Sequence, residues 1–90
     1  MSVLVEIECA GARRLQGGAS KARDDSRCGE MALQAGSLAG KAGRYFINYG
    51  RLGRVHSTRM AARQRLIEAA ALIVAEIEAF DRALARQADQ

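Results

Sequence analysis

Proline and tryptophan are absent from the 90-residue sequence, aromatic residues make up only 4% of it, and histidine occurs once. The two cysteines, Cys9 and Cys28, are too few and too far apart for a zinc motif. The lone His56 has no carboxylate close in sequence to complete a catalytic triad. No run approaches the ~18 apolar residues that a membrane-spanning helix needs. We therefore expect no catalysis, no metal, no cofactor and no contact with a membrane.

The hydrophobic share is 49%, but 18 of those residues are alanine. Alanine buries little apolar area, so the expected core is thin. A chain of this length also lies near the lower limit for an independently stable domain. We expect one domain over residues 1–90 that gains stability from oligomerisation or from a binding partner. A marginally stable monomer is the alternative.

The net charge is +4 and the isoelectric point is about 9.7, with arginine supplying most of the positive charge. Such a balance suits contact with phosphates or with acidic protein surfaces. The N-terminus lacks a basic region, and Glu6 and Glu8 break its apolar run, so it does not resemble a signal peptide. We expect a cytoplasmic protein with reduced cysteines.

The segment 59–86 contains no proline or glycine and is rich in good helix formers. Its apolar residues recur at alternating spacings of three and four, as on a helix face that packs along another helix. These residues, called the heptad seam below, are Leu66, Ala70, Ile73, Ile77, Phe80 and Leu84. The seam is broader than one glycine-rich helix can cover. We therefore expect it to form the core, an oligomer interface or both.

The expected fold class is all-α, with three helices at about 2–16, 30–49 and 59–86 and loops at 17–29 and 50–58. Helices two and three are expected to form an antiparallel hairpin. The first segment also alternates as a strand would, but a lone strand has no neighbour to pair with.

The glycines of the second helix recur at intervals of seven, from Gly29 through Gly36 and Gly43 to Gly50. Their spacing predicts a smooth groove in which the last helix approaches closely. The alternative is a break in the helix near Gly40 and Gly43, because each interior glycine costs ~1 kcal/mol of helix propensity.

The adjacent carboxylates Asp24 and Asp25 allow two interpretations. They could ligate a metal, but hard cations need several oxygen ligands and only Glu30 lies near them in sequence. A capping turn that opens the next helix is favoured, since negative charge suits a helix N-terminus.

The basic segment, residues 41–65, contains no acidic residue, and aromatic residues are interleaved with its cations. These cations and aromatic residues could bind phosphates and stack on bases, or they could bind an acidic protein partner. It could also be a solvated face over an aromatic core. The candidate partner-binding residues are Lys41, Arg44, Tyr45, Tyr49, Arg51, Arg54, His56, Arg59 and Arg63.

The last helix resembles the C-terminal helix of a group of small phage and prophage proteins of unknown function. The shared features are Arg65-Leu66-Ile67, Ala71-Leu72-Ile73, the Ala-Glu-Ile-Glu of residues 75–78, and Asp81-Arg82. A weaker match is carried by Arg13-Arg14-Leu15 with Gly18, by Arg23-Asp24-Asp25 and by the Gly-Glu-Met-Ala of residues 29–32. The match covers the C-terminal third well and the N-terminal third loosely.

The resemblance implies a small accessory protein that binds a host protein or ribonucleoprotein complex, and an inhibitor of host defence of the anti-CRISPR type is the leading version. Some proteins of the group look distantly like all-α MazG-type pyrophosphohydrolases. Here Glu78 and Asp81 match the E-x-x-D element of those enzymes, but no E-E-x-x-E is present. Glu78 can instead pair with Arg82 four residues on. A nucleotide or nucleic-acid binder is the alternative, and a structural homo-oligomer is a third.

Overall fold

The structure, a computed structural model, describes residues 2–52 and 55–88. Within these ranges the chain forms helices and no strand. The helices are α1 (Val3–Gln16), α2 (Lys21–Ser26), α3 (Glu30–Tyr49) and α4 (His56–Ala88). The all-α prediction is confirmed, whereas the expected number of three helices is wrong because four are present. No described helix contains a stretch that is both long and apolar enough to cross a membrane.

The first helix, α1, resolves the choice between strand and helix for the N-terminal segment. Ser2 caps it, with the side-chain oxygen accepting a hydrogen bond from the backbone N–H of Val5 at 3.2 Å. Its inward face brings Ile7 and the buried Ala10 against Ile67 and Ala71 of α4. These four apolar side chains form a small core of their own.

The short helix α2 occupies part of the segment expected to be a loop. Ser20 starts it by accepting a hydrogen bond from the backbone N–H of Arg23 at 3.1 Å. The aspartate pair therefore lies inside a helix and does not cap the next one. At the start of α3 stands Gly29, whose φ of +82° is a conformation that glycine adopts at little cost. The side chain of Glu76 in α4 accepts from the N–H of Ala32 at 3.4 Å, satisfying one donor of the α3 N-terminus.

Alanines, not glycines, line the contact between α3 and α4. Met31 and Ala35 of α3 pack with Ala69, Leu72 and Ala79 of α4, and all five are buried. Small side chains on both helices permit a close approach of the two backbones.

The glycine groove predicted from the spacing of seven is not present. Gly36 is exposed, and a β-carbon at either Gly36 or Gly43 would meet no described atom of a neighbouring element within 4 Å. Gly43 is partly buried, and neither glycine belongs to the buried cluster between α3 and α4. The predicted break near Gly40 and Gly43 is also absent, since α3 is continuous from Glu30 to Tyr49.

The heptad seam is exposed along α4, so the expectation that it forms the core of the single chain is wrong. Large seam residues such as Ile73, Ile77 and Phe80 are accessible to solvent. The buried α4 residues, including Ile67, Ala69 and Leu72, lie beside the seam on the faces that contact α1 and α3. Heptad spacing correctly identified a continuous apolar face of α4. The chain itself buries the two α4 faces on either side of it, one against α1 and the other against α3.

The long helix sets the shape of the molecule. Its 33 residues span about 50 Å at ~1.5 Å per residue, and the chain measures 55 × 23 × 21 Å. α1, α2 and α3 each contact α4. The α4 helix therefore serves as the common support for the other three.

Candidate binding surface beside the α3–α4 turn

The connection between α3 and α4 is shorter than predicted. Gly50, with a φ of +77°, ends α3, and its backbone N–H donates to Phe46 O at 2.8 Å. The next helix starts at His56, where the N–H of Arg59 donates to Val55 O at 3.2 Å. His56 is therefore the first residue of α4 and not part of a loop. Ser57 and Thr58 also lie inside the helix.

A cleft of about 300 Å³ opens beside this turn and is called the turn cleft below. Its lining consists of four apolar and three basic side chains: Phe46, Leu52, Met60, Leu66, Arg51, Arg59 and Arg63. Leu52 is 73% exposed and Met60 is 45% exposed, so the cleft presents apolar surface to solvent. The sequence had assigned the three arginines to a partner surface but had given Leu52 and Met60 no role.

Arg59 fixes the wall of the turn cleft. Its Nη1 donates to Leu52 O at 3.1 Å, and its Nη2 lies 3.0 Å from Nδ1 of His56. One guanidinium thus ties Leu52, in the turn that follows α3, to the first turn of α4. Arg59 and His56, both predicted to bind a partner, are brought together here, where they hold the turn.

Arg63 is engaged within the chain. Its Nη1 and Nη2 donate to the two carboxylate oxygens of Glu6 at 2.8 and 2.6 Å, linking α4 to α1. Hydrogen bonding to Arg63 lowers the pKa of the Glu6 carboxyl below its ordinary value, and the carboxylate raises the pKa of Arg63. The charge that Arg63 offers an external partner is correspondingly reduced.

The aromatic residues of the basic segment form a cluster near the end of α3. The ring of Tyr45 lies 5.7 Å from that of Phe46 in an edge-to-face arrangement and 5.2 Å from that of Tyr49. Tyr45 and Phe46 are half-buried, whereas Tyr49 is exposed. Tyr45 is thus mainly a packing residue, and Tyr49 offers a free face.

Three further candidates, Lys41, Arg44 and Arg51, are exposed and form no ion pair within the described part of the chain. Arg51 belongs to the turn cleft, and Lys41 and Arg44 lie earlier on α3. Arg54, the remaining candidate, lies outside the described residues. Among the accessible cations near the turn, Arg51 is therefore the one that lies beside the apolar side chains of the turn cleft.

The paired aspartates Asp24 and Asp25 bind arginines of other helices. Asp24, 5% exposed, accepts from Arg14 of α1 at 2.7 and 3.0 Å. Asp25 accepts from Arg82 at 3.0 Å and from Arg86 at 3.2 Å, both on α4. Hydrogen bonds from Arg14 and from Arg82 lower the pKa of Asp24 and Asp25, respectively. The predicted pairing of Glu78 with Arg82 is replaced by this contact.

The ion pairs locate α2 between α1 and α4. Among the described residues, no group of three metal-ligating side chains converges on one point. A second groove of about 560 Å³ lies between α1 and the C-terminal half of α4, with Leu4, Ile7 and Val74 in its lining. Acids and bases both occur around it, among them Glu8 and Lys21. This groove therefore does not select a ligand of one charge.

Comparison with known proteins adds no relative: no family model, no curated protein and no solved structure matches this chain.

Proposed function

We propose that the protein acts by binding a protein partner through the turn cleft, without catalysis of its own. One observation carries the proposal: exposed apolar side chains and an accessible arginine border the same cleft. Arginine next to aromatic and apolar anchors is the composition of binding hot spots in protein interfaces. Leu52 and Met60 supply the apolar surface, and Arg51 supplies the charge.

The internal contacts of the cleft favour a protein over a nucleic acid. Arg63 is paired with Glu6, and Arg59 is hydrogen-bonded to the turn, so both guanidinium groups are less available to contact phosphates. Surfaces that bind nucleic acid are strongly cationic because phosphate contacts dominate their affinity. A cleft with an apolar floor and a cationic edge instead suits an acidic protein surface with an exposed apolar side chain.

The antiparallel hairpin of α3 and α4 is also part of this proposal. The contact of Ala32 with Glu76 joins the start of α3 to the C-terminal half of α4, and that of Leu52 with Arg59 joins the turn after α3 to the first turn of α4. An antiparallel pair accounts for both contacts. In such a pair the turn cleft lies near the tip of the hairpin, and the N-terminal part of α1 adjoins it through the ion pair between Glu6 and Arg63.

The resemblance to phage proteins supports a more specific version. In this version the protein is a phage-type accessory protein of the host cytoplasm that inhibits a defence component, as anti-CRISPR proteins do. A defence protein or ribonucleoprotein complex with an acidic surface would be the partner. Inhibition would then follow from occupying that surface, which requires no chemistry from this chain.

A nucleic-acid or nucleotide binder is the second candidate. The exposed ring of Tyr49 lies on the same helix as the accessible cations Lys41 and Arg44, an arrangement that can stack a base beside a phosphate. Descent from a pyrophosphohydrolase would leave Glu78 and Asp81 as remnants, both exposed on α4.

Capture from host lysate separates the two candidates. The tagged wild-type protein, Arg51→Glu and the matched control Arg13→Glu are incubated with lysate that has or has not been treated with nuclease. Arg13 is exposed on α1, so its substitution changes the net charge equally at a distance from the turn cleft. We expect a protein band that survives nuclease and is lost only with Arg51→Glu. A band lost on nuclease treatment would support the second candidate instead.

Restoration of phage growth tests the inhibitor version. The wild-type protein is expressed in a host whose defence system restricts an infecting phage, and plaques are counted. We expect more plaques with the wild type and with Arg13→Glu than with Arg51→Glu. Equal counts for the wild type, Arg13→Glu and Arg51→Glu would contradict host-defence inhibition through the turn cleft. The capture experiment would still decide whether the cleft binds a protein.

A further inference from the structure

The heptad seam is a large apolar face that no described part of the chain covers. Phe80 is 65% exposed, and Ile77 and Leu84 are each 54% exposed. With about half of a ~200 Å² side chain accessible at each of five large residues, the seam exposes about 500 Å² per copy. Two copies together would bury about 1,000 Å², which is the lower limit for a biological interface.

We propose that this face binds a second copy of the chain, with the two α4 helices antiparallel. The seam has the alternating spacing of a coiled coil, with Ala70, Ile77 and Leu84 on one row and Leu66, Ile73 and Phe80 on the other. In an antiparallel pair each row faces the other row of the second copy.

One register pairs every seam residue and sets the largest side chain opposite the smallest. It sets Leu66 opposite Leu84, Ala70 opposite Phe80, and Ile73 opposite Ile77 of the second copy. The largest seam residue then fills the space left by the smallest, and all six residues are paired. The seam is therefore complementary to its own reverse, a property that points to a second copy and not to an unrelated helix.

A parallel pair fits less well on both size and charge. It would set Phe80 against Phe80 and Ala70 against Ala70, crowding one layer and leaving a gap in another. Arg59 and Arg63 continue the two rows toward the N-terminus of α4. In a parallel pair each would lie against the same arginine of the second copy. In the antiparallel register Arg63 faces Gln87, and Arg59 lies beyond the end of the facing helix.

The antiparallel register brings one like-charged pair close together, because Glu76 lies beside the seam near the two-fold axis. Glu76 is turned toward α3, where it accepts a hydrogen bond from the backbone N–H of Ala32 at 3.4 Å. The positive end of the α3 dipole offsets its charge there. The pair of acids therefore does not prevent the antiparallel arrangement.

The proposed dimer has a consequence for the turn clefts. They would lie at opposite ends of the paired helices, about 40 Å apart at ~1.5 Å per residue. Leu66 borders both the cleft and the seam, so Leu84 of the second copy would adjoin each cleft. The dimer does not depend on whether the clefts bind a partner.

Sedimentation equilibrium tests assembly with a matched pair of variants. Ile77→Glu changes an exposed aliphatic residue in the seam, and Ile47→Glu changes one that is 84% exposed on α3. We expect the wild type and Ile47→Glu to be dimeric at about 100 μM. Ile77→Glu should raise the dissociation constant more than about 100-fold, because each copy loses one buried isoleucine. A monomeric wild type, or a dimer that survives Ile77→Glu, would overturn the proposal.

Disulfide formation tests the direction of the helices with milder substitutions. Leu66→Cys and Leu84→Cys are prepared separately in a Cys9→Ser, Cys28→Ser background and then mixed and oxidised. In the proposed register the two seam positions of one chain lie about 27 Å apart along α4. We expect a crosslink between the two different variants only. A crosslink formed by either variant alone would show a parallel pair, and no crosslink in any mixture would show that the seam does not meet a second copy.

Discussion

Replacing Ala35 by leucine tests which residues hold α3 against α4. Ala35 is 2% exposed and packs in the cluster with Met31, Ala69 and Leu72. A leucine there adds three carbon atoms where no space is left, so the helices must separate or the side chain must adopt a strained rotamer. Overpacking of this kind costs ~1–3 kcal/mol.

The next residue, Gly36, provides the matched control because it lies on the same helix with open space around it. A β-carbon there meets no described atom of another element within 4 Å. Gly36→Leu also removes a residue of poor helix propensity, for a gain of up to ~1 kcal/mol. The two leucines should therefore shift stability in opposite directions.

Thermal unfolding followed by circular dichroism measures both variants at one fixed protein concentration, since self-association makes Tm depend on concentration. At ~4–8 °C per kcal/mol for a domain of this size, Ala35→Leu should lower Tm by roughly 4–24 °C. Gly36→Leu should leave Tm unchanged or raise it. A larger loss for Gly36→Leu than for Ala35→Leu would refute the assignment of the contact to alanines.

The ion pairs of α2 and the cap that starts it yield three further predictions. Asp24→Ala leaves the half-buried Arg14 without its carboxylate and should lower the free energy of unfolding by about 2 kcal/mol, measured by urea denaturation. Because Asp24, Asp25 and Glu6 have lowered pKa values when folded, their stabilising contribution is complete above about pH 5 and is lost as pH falls through the folded values. Tm should therefore fall progressively below about pH 4, and less steeply in Asp24→Ala; a parallel fall in the variant would contradict this cause. Ser20→Ala should cost ~1 kcal/mol by removing the α2 cap, and an unchanged urea midpoint would show that the cap is dispensable.

Periodicity was sufficient to predict the helical class and the positions of the long helices. Met31, Ala35 and Ala42 have the spacing of one helix face, and all three are buried. Periodicity failed where two faces of one helix both looked apolar. On α4 the large seam residues gave the stronger pattern, whereas the small residues beside them pack against α1 and α3.

The candidate site could be predicted only in part, because its contacts join distant residues. Arg63 and Glu6, or Arg82 and Asp25, are separated by most of the chain, and no local spacing signals that they pair. Leu52 lies in the turn and Met60 near the start of α4, where a helical stripe gives no information about exposure. The basic segment was visible as a run of charges, but the folded chain determines which of its arginines remain accessible.

Affinity for the captured partner is the measurement that tests the role of the turn cleft most directly. Isothermal titration would compare the wild type with Arg51→Glu and Arg13→Glu. Loss of a charge-assisted contact and addition of repulsion predict that Arg51→Glu weakens binding by at least about tenfold. Arg13→Glu, with the same change in net charge, should stay within about twofold of the wild type. Wild-type affinity in Arg51→Glu, or an equal loss in both variants, would contradict binding through the turn cleft.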